Sequence, residues 1–89
     1  MAMAELTQAE FERIVHEEAV GISRLESVSV RGWGVTVRIR ARRVPWDASV
    51  HFDPTTAHAT ITSMYIGAVV PRILADNVRQ RMLAVLALA

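Results

Sequence analysis

The stretch "RIRARRVPW", residues 38–46, places Arg38, Arg40, Arg42 and Arg43 within nine positions. Arginine presents a planar, permanently charged fork that matches a phosphate bidentately. On an extended strand Arg38, Arg40 and Arg42 fall at i, i+2 and i+4 and share one face, with Arg31 near the end of the neighbouring strand. Beside Ser29, Thr36, Thr60, Thr62, His51 and His58 they form a cationic platform with hydroxyl donors, suited to the phosphate backbone of a nucleic acid. The platform lacks aromatic interleaving: Trp33 and Trp46 fall at strand ends, whereas single-strand binders stack bases on rings in mid-sheet. A half-buried strand needs polar residues on its solvent side whatever it binds, and arginine stems lie readily over a sheet. All ten basic residues are arginine, which codon usage explains as readily as recognition.

His51 and His58 are a second candidate. With Phe52 placed opposite Ala57, the two imidazoles lie across from one another on the solvent face, where they would bind a transition metal or repel each other on protonation. Two ligands make a poor site, and only Asp47 and Asp53 offer a third. His16, between Glu12 and Glu17, reads as part of the wet side of an acidic helix, and Glu18 stands near the apolar stripe but within reach of water. There is no GxSxG, and "GWG" lacks the third glycine and the strand-to-helix setting of a dinucleotide fingerprint. No enzymatic activity, metal or cofactor is expected.

The elements that must carry these residues are legible from periodicity. Thr7-Gln8-Ala9-Glu10 has the capping-box pattern, and Phe11, Ile14, Val15 and Ala19 recur at helical spacing, predicting a helix over 7–20 that stops at a left-handed Gly21. From Ser27 the period is two. Val28 and Val30, then Val35, Val37, Ile39 and Ala41, alternate with polar residues about a two-residue loop, Gly32-Trp33 or Trp33-Gly34. Pro45 ends that long strand. "SVHF" and "AHATITSMY" flank the turn cluster "DPTT" as a second hairpin. Pro71 suits the first position of a last helix, with Leu74, Val78, Met82 and Val85 as its stripe, widened by Leu83 and Leu86. The expectation is a single α+β domain over 1–89, two layers, α-β-β-β-β-α. An antiparallel four-stranded meander carries both helices on one face, after a disordered start at 1–6.

Helix, antiparallel strands, helix resembles the order of double-stranded-RNA-binding domains. Where that family carries a lysine-rich approach to its second helix, "VVPRILADNV" offers Arg72 and no lysine, so the resemblance rests on element order alone.

Composition supplies the remaining bounds. An 89-residue globule buries only roughly two-thirds of the surface its unfolded chain exposes, yet 52% of residues are hydrophobic and 21% charged, which favours either an efficient core or a surface covered by a partner. The net charge of +1 selects no partner class. The absence of cysteine removes disulfides and thiolate chemistry. Glutamates stand where a signal peptide needs positive charge, and "MLAVLALA" is far short of the roughly 20 residues that cross a bilayer, so a cytoplasmic protein without membrane attachment is expected. "YIGAVV" is apolar where a loop should be polar, and the tail has no closing charge. The functional expectation is therefore a small non-enzymatic protein-interaction module, a homodimer or a subunit or adaptor of a larger assembly, using Tyr65, Ile66, Val69, Val70, Leu83 and Leu86. The alternative is nucleic-acid binding through Arg31, Arg38, Arg40 and Arg42.

Overall fold

The computed structural model describes residues 6–65 and 67–87. Six elements follow in order: α1 (Gln8–Val20), β1 (Leu25–Arg31), β2 (Gly34–Ile39), β3 (Trp46–Phe52), β4 (Ala59–Ser63) and α2 (Val69–Ala87). The strands form one antiparallel sheet in the order β1-β2-β3-β4, the expected meander. Both helices cover one face: α1 packs beside α2 and over β1, and α2 lies over β3 and β4.

The helix α1 begins as its sequence dictates. Thr7 is the N-cap; its hydroxyl accepts from the Glu10 amide at 3.1 Å while the Glu10 carboxylate accepts from the Thr7 amide, the reciprocal box. Leu6 stands at the position before the cap and Phe11 at the fourth helical position, the two sites of a hydrophobic staple, and both are buried. Leu6 thus belongs to the core, contrary to a disordered start over 1–6; residues 1–5 lie outside the described residues. Gly21 does close the helix but in the right-handed region, φ −83°. The left-handed residue comes three positions later, at Arg24 with φ 73°.

The sheet's inner face is built by alternation. Val35, Val37 and Ile39 on β2 and Ala48, Val50 and Phe52 on β3 are buried, with Val28 and Val30 partly buried on edge strand β1. Against them lie Phe11, Ile14, Val15 and Ala19 from α1 and Leu74, Ala75, Val78 and Met82 from α2. No polar or charged residue is buried among the described residues, so apolar burial carries the fold, at about 1.5–3 kcal/mol for each large side chain. The loop of the first hairpin is Gly32-Trp33: Arg31 pairs with Gly34, and Gly32 has φ 59° at the first central position, which type II′ hairpins reserve for glycine. Trp33 folds back onto Phe11, ring centroids 4.8 Å apart.

Three further expectations need correction. Strand β2 ends at Ile39, not near Arg42, because β1 offers no further ladder: a bulge lies between Leu25 and Ser27, and the Arg40 amide bonds instead to the Arg24 carbonyl at 2.7 Å. The second hairpin pairs Phe52 with Ala59 rather than Ala57. Its loop is two residues longer than expected because Asp53 folds it into a turn, with the Ala57 amide bonded to the Asp53 carbonyl and Ala57 left-handed at φ 63°. A shift of two keeps every side chain on its expected face while changing all its neighbours. Finally, α2 begins at Val69, so Pro71 is its third residue, still within the first turn where a missing N–H costs nothing.

Candidate functional site

The uncovered face of the sheet carries most of the residues with chemical potential. Register sets them in rows across the strands: Arg31, Gly34, His51 and Thr60 in one, Ser29, Thr36, Ser49 and Thr62 in the next, then Ser27, Arg38 and Asp47. All but Gly34, which is half-buried, are exposed.

The arginines expected to align do not. Arg38 alone of the three remains on a strand, and it faces Asp47 across the β2–β3 ladder, with Nε 3.0 Å from Oδ1 and Nη2 3.4 Å from Oδ2. That hydrogen bond, and then the Asp47 charge, hold the Arg38 guanidinium above its ordinary pKa. Arg40, Arg42 and Arg43 lie in the connection between β2 and β3. Arg31 stands at the opposite end of the face, four residues up the ladder and thus about 13 Å from Arg38. Among the described residues Arg31 makes no ion pair.

The histidines are also apart. His51 pairs with Thr60, whereas His58 is in the β3–β4 loop, its carbonyl accepting from the Asp53 amide at 2.8 Å and its amide donating to the Thr56 hydroxyl. Among the described residues no three His, Cys, Asp or Glu side chains are grouped to hold a metal ion. Asp53 serves the loop: Oδ1 accepts from the Thr55 hydroxyl at 2.6 Å, the Thr55 amide at 2.8 Å and the Thr56 amide at 3.2 Å, and these bonds keep the carboxyl below its ordinary pKa. Glu17 and Glu18 both reach Arg81, at 2.7 and 3.2 Å, joining the end of α1 to α2.

A second surface forms where the outer edge of β4 meets α2. Ile61, in the middle of β4, is 39% exposed and Tyr65 is 53% exposed, although the Tyr65 ring rests edge-on against Trp46 at 4.7 Å. The Tyr65 carbonyl accepts from the Ala68 amide, and Gly67, at φ 74°, turns the chain into α2; Ile66 lies outside the described residues. Ile61, Tyr65 and Arg72 border a depression of about 300 Å³. Arg72, Asp76, Arg79 and Leu83 recur at helical spacing on this flank, and the Arg79 Nε bonds to the Ala57 carbonyl at 2.9 Å. Val69 and Ile73 point away from the core, Val70 is half-buried, and Leu86 packs partly against the core, leaving Leu83 as the exposed member of that pair. Asp76 and Arg79 were not singled out by sequence reasoning; their i, i+3 spacing is a signal for a shared helix flank, but not for which flank.

Compared with protein-family models, with curated proteins and with solved structures, the chain matches none of them. Among the described residues no helix is long and apolar enough to cross a membrane.

Proposed function

We propose that the chain is a small non-enzymatic protein-association module that works as a homodimer, joined through the outer edge of β4 and the flank of α2 beside it. One observation carries this reading: the two sheet edges are treated differently. Edge strand β1 has the usual guards against pairing, a bulge between Leu25 and Ser27 and the charges of Glu26 and Arg31. Edge strand β4, "ATITS", has no charge, no proline and no break in register, and exposes Ile61 at its centre.

The flank of α2 supports self-pairing in particular. A two-fold axis brings the same patch of both copies together, so β4 pairs antiparallel with its copy and the two helices run antiparallel beside it. Arg72 and Asp76, one turn apart and opposite in charge, then meet crosswise, Arg72 of each copy with Asp76 of the other. Leu83, Tyr65 and Val69 supply apolar cover.

Light scattering after size-exclusion chromatography tests the reading. The wild type is expected as a dimer. Ile61→Lys, which places a charge mid-edge, and Arg72→Asp, which sets acids against acids, are expected as folded monomers by circular dichroism. The double exchange Arg72→Asp with Asp76→Arg is expected to restore the dimer. A wild-type monomer at high micromolar concentration, or a charge exchange that fails to rescue, refutes this interface.

A further inference from the structure

The row Arg31–Gly34–His51 on the uncovered sheet face surrounds a position with no side chain. Gly34 is the first residue of β2, directly after the hairpin loop, and it leaves this part of the row without a side chain. Gly34 sits in no bulge, has no left-handed φ, and a Cβ there would meet only the Arg31 carbonyl oxygen, at 3.5 Å, an ordinary contact. Neither backbone conformation nor packing therefore requires glycine. Its effect is an opening: neighbouring strands lie about 4.8 Å apart, so Arg31 and His51 flank a gap roughly 10 Å across. The gap is part of a depression of about 330 Å³ whose floor continues into Thr36, Ser49 and Thr62.

We propose that this notch binds a phosphate monoester. Arg31, which has no acidic partner among the described residues, supplies the bidentate fork. The His51 ring N–H approaches from the other side, and the hydroxyls of Thr36 and Ser49 donate to the remaining oxygens. A terminal phosphate fits these surroundings better than a polynucleotide. The only other arginine on the strands of this face, Arg38, is held by Asp47, whose charge repels a second phosphate. The aromatic rings offer no stacking platform here either: Phe52 is buried, Trp46 packs against the core, and Trp33 lies on Phe11. This site lies on the sheet face turned away from both helices, so it does not use the α2 flank of the proposed dimer contact, although Thr60 and Thr62 at its rim stand on β4.

The test is a titration of isotope-labelled protein followed by amide shifts, with inorganic phosphate, β-glycerophosphate, a single-stranded oligoribonucleotide, and chloride at matched ionic strength. Saturable shifts are expected at Gly34, Thr36, His51 and Thr60 with a millimolar Kd, tighter for the monoester than for inorganic phosphate. Arg31→Gln is expected to weaken binding about tenfold. Gly34→Val, which strand geometry accommodates, is expected to abolish it while core amides stay in place, and Arg38→Gln to leave it unchanged. The proposal is overturned if phosphate shifts nothing beyond chloride, if Gly34→Val binds like the wild type, or if Arg38→Gln matches Arg31→Gln. It is equally overturned if the oligonucleotide binds more tightly with shifts spread over residues 40–43.

Discussion

The Asp53 carboxylate accepts three hydrogen bonds from Thr55 and Thr56, and through them it sets the length of the β3–β4 loop and so the partner of every residue on β4. Hydrogen bonding from the Thr55 hydroxyl, then from the two amides, lowers its pKa below the ordinary 3.8. A carboxylate with a depressed folded pKa contributes stability that is complete above the unfolded pKa and is lost as pH falls through the folded one. Asp53→Asn keeps an acceptor oxygen but does not titrate. The melting temperature of the wild type is therefore expected to exceed that of Asp53→Asn near neutrality, and the gap to close as pH falls below 3.8. Thermal melts of both proteins across that window decide it; a gap that stays constant with pH means the carboxylate's charge is irrelevant to the loop. The same residue explains an error of reading. "DPTT" announces a turn by composition, but composition does not say that the aspartate side chain will cap a six-residue loop, and facial alternation is satisfied equally by Ala57 or Ala59 opposite Phe52.

At the scale of elements, what is legible depends on whether the deciding interaction is local. The start of α1 is, since Thr7 and Glu10 satisfy each other three residues apart. Thr7→Ala is expected to cost about 1 kcal/mol, lowering the melting temperature by about 4–8 °C, and urea unfolding with an unchanged slope checks it. Leu6→Ala, which also removes the staple beneath Phe11, is expected to cost about 2–5 kcal/mol; a loss no larger than that of Thr7→Ala would make Leu6 a peripheral residue. The end of β2 was not legible, because the alternation Val35, Val37, Ile39, Ala41 runs on without interruption. What stops the strand is on another one: the bulge in β1 and the left-handed Arg24 withdraw its partner. The arginine platform failed for that reason and not through any fault in its spacing. Likewise Trp46 and Tyr65 meet only because β3 and β4 are neighbours, so the partial cover of the apolar loop has no sequence signature.

For the molecule as a whole, the question is what the apolar surplus does. A core with no buried polar residue among the described residues uses many of the hydrophobic ones, yet Ile61, Met64, Tyr65, Val69, Ile73 and Leu83 remain exposed on β4, the following turn and α2. A specific interface needs about 1,000 Å² in total, which edge pairing of β4 can approach only if the flank of α2 takes part. If folding and pairing are linked, stability depends on concentration, since a partner that binds only the folded state stabilises it by mass action. Each tenfold increase is worth about 1.4 kcal/mol per dimer. A hundredfold increase is therefore expected to raise the wild-type melting temperature by about 6–11 °C for an assembly of this size. Ile61→Lys is expected to melt at one temperature throughout, because a monomer has nothing to gain from concentration. Calorimetric scans over that range separate the cases. A rise in both proteins places the association elsewhere than β4, whereas a flat wild type leaves the unguarded edge exposed in solution and removes the homodimer altogether.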